Sequence, residues 1–524
     1  MPIELVMPPA FPETFNLADF LLYERLRSGA GDRLALVVDD AAGGSRRYSY
    51  AEVAELARRA GEVLARHGVE PEQRVILALA DSAEFVAALF GALSVGAVVV
   101  MVNPKLAPAD LAAIFAYARP KAAVVEGETL AAVEEARSSA GWPRTLLTVR
   151  AGETGWPRLE EELATAPPAL PTFPTHRDDP AIWLFSGGTT GRPKAVVQSH
   201  ASFANTTVLY AQRALGYRES DVTLSVPKLF FGYATGSNLF FPFSVGATAV
   251  LFPEHPTAEV VFEKVRRHRP TVLINVPTMV NHMVQHPAAR ERDLSSLRFA
   301  TSAGEALPVP LYHRFKETFG VELLDGLGTA EMWHIFLTNL PGAVKPGTLG
   351  RVVPGFELKV VDDEGRDTAP NEVGRMWVKG DSRALCYWQE MGKTQEAFRG
   401  EWFVGGDLVS RDEDGYVTYH GRGDDVLKVG GKWLVPAEVE ACLMRHTAVL
   451  ECAVVGVVDG AGLTKPHAFV VAEAGSPALA QELKDFVMAE LAPYKHPREV
   501  VFVPTLPRTH LGKIDRGRLR REGS

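Results

Sequence analysis

Through its first half the chain alternates helix-period sequence with short, continuous apolar runs, a pattern that few architectures besides layered α/β can absorb. Residues 50–67 (YAEVAELARRAGEVLARH) carry apolar side chains at helical spacing and stop at Gly68; residues 74–80 (RVILALA) read as a strand buried on both faces. Strand signals return at 122–125 and 145–149. A proline-rich stretch, 166–180 (APPALPTFPTHRDDP), reads as a linker or surface loop, and beyond it the pattern resumes with strands at 181–185, 249–252, 272–276 and 299–302. Such alternation predicts parallel sheets covered by helices. Residues 85–102 (FVAALFGALSVGAVVVMV) hold no charge and just reach the length of a membrane span. Gly96 interrupts the run and a β-branched stretch follows, so it reads instead as helix, glycine stop and buried strand.

From about Gly350 the texture becomes strand-and-turn, with acidic turns at 362–365 and 412–415. The last hundred residues mix strands (451–458, 467–472), a helix (479–491) and a basic tail. The expected architecture is a large N-terminal domain of parallel α/β layers plus a small β subdomain, with a separate mobile α+β C-terminal domain. In residue terms, 1–423 form the N-terminal domain, with α/β subdomains at about 1–170 and 171–345 and a β-rich subdomain at 346–423; residues 424–524 form a C-terminal lid. The 524 residues include 55 Lys+Arg and 64 Asp+Glu, a formal charge of −9, so no global field is available to hold a polyanion, and no nucleic-acid partner is expected. Three cysteines, Cys386, Cys442 and Cys452, show no C-x-x-C spacing, which argues against disulfide or zinc frameworks. A cytoplasmic protein without membrane attachment, a monomer or homodimer, is the expectation.

The chemistry concentrates in Ser186-Gly187-Gly188-Thr189-Thr190-Gly191, followed closely by Lys194, directly after the apolar strand AIWLF. Glycines let backbone approach an anion closely, while hydroxyls and a lysine supply donors to phosphate oxygens. A Walker A loop is excluded: the Gly392-Lys393-Thr394 triplet has Tyr387 where the first glycine of that motif belongs.

The loop resembles the phosphate-binding signature of the adenylate-forming superfamily, which comprises acyl-CoA synthetases, luciferases and nonribosomal adenylation domains. Further motifs follow in the family's order. Ser302 to Pro308, with Ala303, Gly304 and Glu305, follows a strand, and its small residues would let adenine lie flat against backbone. Asp325-Gly326-Leu327-Gly328-Thr329-Ala330-Glu331 resembles the adenine and magnesium motif, and Gly400 to Asp407 the ribose motif. Gly421-Arg422-Gly423-Asp424 resembles the hinge, Lys428-Val429-Gly430-Gly431 with Trp433 the thioester-forming loop, and Leu506 to Ile514 the segment of the catalytic lysine, Lys513. The resemblance implies ATP and Mg²⁺ as cofactors and coenzyme A as co-substrate. Glu331 would ligate the metal, because a hard cation prefers carboxylate oxygen beside phosphate oxygens. Asp407 and Arg422 would hold the ribose. Lys513 would bring fixed positive charge to a carboxylate attacking the α-phosphate. Asp424 would be the hinge about which the lid turns, exchanging Lys513 for the Lys428 loop. Three positions depart from the family pattern: Ala330 replaces a threonine, Gly187 a hydroxyl residue and Ala195 a glycine.

The segments around Tyr233 (KLFFGY) and His334 (MWHIF) are similar to the aryl-CoA ligase branch, especially benzoate-CoA and 2-aminobenzoate-CoA ligases. By that resemblance Tyr233, Ala303, Gly304, Gly328, His334 and Ile335 line a short flat pocket, with Pro227 reshaping it around a ring substituent. The resulting expectation is an ATP-dependent aryl-carboxylate:CoA ligase for benzoate or a ring-substituted benzoate. It works through an aryl-AMP, releasing pyrophosphate and then AMP. The alternative is an aryl acid adenylating enzyme that loads the thiol of an acyl carrier protein.

Overall fold

The computed structural model describes residues 7–40, 43–186, 194–429, 432–458, 463–508 and 514–523. Two large sheets dominate. One has seven strands in the order Cys386–Tyr387, Lys194–Ser199, Pro180–Ser186, Val98–Met101, Arg74–Ala78, Ala122–Glu126 and Thr145–Val149. Its last five strands run parallel, whereas Pro180–Ser186 turns back antiparallel into Lys194–Ser199. The second sheet has nine: Arg351–Val352, Ile335–Thr338, Leu323–Gly328, Phe299–Ser302, Val272–Asn275, Val222–Ser225, Thr248–Leu251, Leu34–Asp39 and Ser45–Ser49. Both sheets are mixed, so the parallel layers expected from the sequence acquire antiparallel edges. Nor do the sheets divide at residue 170. Leu34–Asp39 pairs with Thr248–Leu251, and Pro180–Ser186 pairs with Val98–Met101. Each sheet therefore draws on both sides of that position, because strand partners are chosen by long-range burial and not by nearness along the chain.

Helices Tyr50–Arg66 and Ala83–Ser94 lie in the core shared by the inner faces of the two sheets. The first is started by a reciprocal cap, Ser49 accepting from the Glu52 amide while the Glu52 carboxylate accepts from the Ser49 amide. The two helices meet at glycines: a Cβ on Gly91 would lie 2.7 Å from the Gly61 nitrogen. The uncharged run splits as its composition indicates, into helix Ala83–Ser94, a left-handed Gly96 (φ 74°) and strand Val98–Met101. Among the described residues no helix is long and apolar enough to cross a membrane. Outer helices cover the opposite faces, Ala258–His268, Pro277–Gln285 and Val309–Phe319 on the nine-stranded sheet and Pro108–Ala118 with Leu130–Ala140 on the other. Fully buried rings such as Trp183, Phe85, Phe90 and Phe203 contribute roughly 1.5–3 kcal/mol each by burial alone.

A five-stranded antiparallel sheet follows, containing Glu357–Val361, Gly374–Lys379, Phe398–Arg399, Trp402–Arg411 and Val417–Arg422. Beyond the short turn Gly423–Asp425, the hairpin Leu427–Val429/Lys432–Leu434 leads into three strands, Glu451–Val458, Thr464–Val471 and Glu499–Phe502. Helices Pro436–Leu443 and Pro477–Glu490 share one core with these strands, and Arg516–Glu522 packs through Leu519 in a second.

Candidate active site

Strand Pro180–Ser186 delivers Ser186 to the start of the glycine-rich loop, and Lys194 resumes directly opposite it in register. The Ser186 hydroxyl is buried without a protein partner among the described residues. Lys194 Nζ stands 4.6 Å from the centroid of the Tyr387 ring. That phenol in turn donates to Glu331 Oε1 at 2.8 Å. A cation, an aromatic face and a buried carboxylate thus meet beside the end of strand Pro180–Ser186, from three distant parts of the chain. Burial and the neighbouring carboxylate hold the Tyr387 hydroxyl far above its ordinary value, so it remains a donor. Gly187, Gly188, Thr189, Thr190 and Gly191 lie outside the described residues.

Glu331 sits in the short turn Ala330–Met332, whose start is capped by Thr329 accepting from the Met332 amide at 3.2 Å. Ala330 contributes its carbonyl, which accepts from Gln198 Nε2 at 2.6 Å. The strand leading into this turn carries Gly326, Leu327 and Gly328 against Thr338, Leu337 and Ile335. Glycine is required here: a Cβ on Gly328 would stand 2.0 Å from the His334 carbonyl oxygen, and one on Gly326 2.7 Å from that of Leu337. Asp325 is buried, its Oδ1 has no partner among the described residues, and burial raises its carboxyl well above the usual range. Next to it in the sheet, strand Phe299–Ser302 ends before buried Ala303 and left-handed Gly304 (φ 91°), with open space where a Cβ would stand. Glu305 accepts from Thr278 at 2.8 Å.

Asp407 and Arg422 face each other across adjacent strands, and Tyr419 donates to Asp407 Oδ1 at 3.4 Å. The Arg422 guanidinium crosses Gly406, where a Cβ would come within 2.7 Å of Nη2.

Of the residues expected to line the acid pocket, Tyr233, Gly328 and Ile335 lie against His334. Its Nε2 lies 2.9 Å from the Tyr233 carbonyl and 3.0 Å from Ser237 Oγ. A carbonyl can only accept, so Nε2 carries the proton and Nδ1 is left as an acceptor, buried and without a partner among the described residues. Burial pushes the imidazole down to about 3, which keeps it neutral. Its ring is hemmed by Phe241 at 4.6 Å, Tyr233 at 5.3 Å and Tyr210 at 5.6 Å between centroids. The Tyr233 hydroxyl shares a 2.6 Å hydrogen bond with Thr301, and Ser225 donates to the Pro227 carbonyl at 2.7 Å. Trp333 and His334 both take left-handed backbone angles (φ 41° and 67°), a strain costing on the order of 1–3 kcal/mol per residue. Ile335 is buried and pairs with Gly328.

Lys428 and Trp433 oppose each other in the backbone of the first C-terminal hairpin, and Asp424 lies in the turn Gly423–Asp425. Gly430, Gly431 and Lys513 lie outside the described residues. Sequence reasoning missed Tyr387, Ser237 and Gln198. The aromatic pair Tyr387-Trp388 after the Gly380-Asp381-Ser382 turn was the available signal for the first.

The fold and this arrangement of loops match a known class. A family model described as AMP-binding enzyme covers residues 23–388, and one described as AMP-binding enzyme C-terminal domain covers residues 438–513. The chain belongs to the AMP-binding enzyme family, whose members form adenylates. It is 41% identical over 520 residues to a benzoate-CoA ligase of Thauera aromatica, with 98% of this chain and 97% of the relative covered. Among solved structures it is similar to an anthranilate-CoA ligase in complex with anthranoyl-AMP (TM-score 0.92, 37% identity, 98% of each chain). It is also similar to a benzoate-CoA ligase from Burkholderia xenovorans LB400 (TM-score 0.88, 42% identity, 97% of this chain and 100% of that one). These likenesses place the chain in the aryl-CoA ligase branch.

Proposed function

We propose that the chain is an ATP-dependent aryl-carboxylate:CoA ligase acting on benzoate or a ring-substituted benzoate. It joins the acid to AMP with release of pyrophosphate, then transfers the aryl group to the thiol of coenzyme A with release of AMP. The observation that carries the reading is the convergence of Lys194, Tyr387 and Glu331 beside the end of strand Pro180–Ser186, with His334 following the Glu331 turn in the chain.

Ser186, the glycine-rich loop and Lys194 hold the nucleotide phosphates. Adenine lies against Ala303 and Gly304, beside Asp325, Gly326, Leu327 and Thr329, and Asp407 with Arg422 receives the ribose. Glu331 suits Mg²⁺ because its buried carboxylate is fixed by Tyr387, and a magnesium ion shared with phosphates needs only one or two protein carboxylates. Once bound, the ion neutralises charge on the phosphates. Lys513 compensates the charge that develops as the acid's oxygen bonds to the α-phosphorus. The C-terminal domain, residues 424–524, then turns at Asp424, and Lys428 with the Gly430, Gly431 and Trp433 loop admits coenzyme A.

The neutral His334 ring favours an acid carrying a hydrogen-bond donor. Its Nδ1 is an acceptor without a partner among the described residues, which an amino or hydroxyl substituent would pair and plain benzoate would not. The three cysteines are free thiols, in keeping with a reducing cytoplasm. A monomer or homodimer suffices for substrates of this size.

The test is a panel of substituted benzoates and short fatty acids, scored for AMP release with free coenzyme A as sole acceptor. Release with aryl acids is expected. Aryl-dependent pyrophosphate exchange without such release would instead support loading of an acyl carrier protein.

A further inference from the structure

Arg508 occupies a position that nothing in the assigned chemistry uses. Its guanidinium reaches two carboxylates on different parts of the molecule. Nη2 donates to Glu451, at the start of a C-terminal strand, while Nη1 lies 3.6 Å from Glu305 Oε1, in the turn that follows Gly304. All three side chains are about two-thirds shielded, at 31%, 29% and 28% exposure, so the charges are only partly screened. Thr278 fixes Glu305 from the N-terminal side. Close by, Asn281 donates to the Leu450 carbonyl at 3.3 Å. The Arg508 backbone pairs antiparallel with Ile514, and the Asp515 amide donates to the Pro507 carbonyl at 2.7 Å. Arg508 therefore anchors the base of the segment that carries Lys513 in sequence.

The two ion pairs behave differently when the C-terminal domain turns. Glu451 and Arg508 belong to that domain and travel together, whereas Glu305 stays behind. We propose that Arg508 is a positioning residue for adenylation: Glu451 holds its guanidinium ready, and Glu305 captures it only in the orientation seen here. The adenine turn itself becomes the docking point, so contact of the C-terminal domain with the nucleotide site is registered by a charge pair and not by Lys513 alone. This inference rests on the ligase reading above, in which Lys513 serves only the first half-reaction.

The test measures aryl-dependent pyrophosphate exchange and thioester formation from supplied aryl-AMP separately, with the full chain. Arg508→Gln is expected to lower kcat for exchange about tenfold while changing thioester formation less than about twofold, and Arg508→Lys to recover most of the exchange rate. In a double-mutant cycle with Glu305→Gln, the double variant is expected to lose no more exchange than the worse single variant. Equal losses in both half-reactions, no loss in exchange, or effects that multiply in the cycle would overturn the proposal. Absence of exchange in the unmodified protein would overturn the ligase reading instead.

Discussion

Tyr387 donates its phenol to Glu331 at 2.8 Å and so joins the edge strand of one large sheet to the turn that follows a strand of the other. The bond serves two ends at once. It satisfies one oxygen of a buried carboxylate, and it holds the aromatic face over which Lys194 sits.

Replacing Tyr387 by Phe keeps that face and removes only the donor. A buried oxygen left without its partner costs about 1–3 kcal/mol, and here the loss falls on the residue assigned to the metal. The Mg²⁺ concentration giving half-maximal pyrophosphate exchange is expected to rise about fivefold or more. A magnesium titration of the variant decides; an unchanged midpoint would reduce Tyr387 to packing.

Gly236 is the wall against which the His334 imidazole rests. A Cβ there would stand 2.3 Å from Cδ2 and 2.6 Å from Nε2, and the ring cannot retreat past Phe241 and Tyr233. Gly236→Ala is expected to change the ratio of kcat/KM between benzoate and 2-aminobenzoate by about tenfold, with the KM for ATP within about twofold. Preserved selectivity across the benzoate panel would dissociate His334 from acid choice.

Acid should weaken the fold through two histidines. Burial pushes both His200 and His334 down to about 3, against ~6.5 in an unfolded chain. His200 accepts from the Leu17 amide at 3.0 Å and so needs its neutral form. Between those values the unfolded chain binds more protons than the folded one. The stabilisation is therefore complete above pH ~6.5 and is lost as pH falls toward 3, at about 2 kcal/mol per ring by pH 5. Comparing urea midpoints at pH 7 and pH 5, His200→Leu should show a smaller drop than the parent; equal drops would contradict the assignment.

Lys513 and Lys428 should separate the two half-reactions. Lys513→Ala is expected to abolish aryl-AMP formation and leave thioester formation from supplied aryl-AMP largely intact, and Lys428→Ala to do the reverse. Rapid-quench measurement of each step provides the check. Equal loss of both steps in either variant would exclude an exchange of orientations.

Local regularities were readable in the chain. The helix Tyr50–Arg66, the stop at Gly96 and the strand Arg74–Ala78 follow from spacing within a few residues, and the motif residues around Asp325 and Asp407 are contiguous. What escaped were partnerships across distance. Tyr387 meets Glu331 from 56 residues away and Ser237 meets His334 from 97, and no periodicity encodes such pairings. The left-handed angles at Trp333 and His334 were also invisible, because neither residue type advertises that conformation and only the surrounding packing imposes it.

The interleaving of the two sheets also sets a timetable for a chain emerging from the ribosome. Strand Leu34–Asp39 cannot complete its parallel pairing until Thr248–Leu251 has been made, 209 residues later (248 − 39 = 209). The edge of Lys194–Ser199 waits for Cys386, 189 residues beyond its partner Val197 (386 − 197 = 189). Apolar helices such as Ala83–Ser94 are thus born long before the surfaces that cover them, and closure of the N-terminal core is a late event in synthesis.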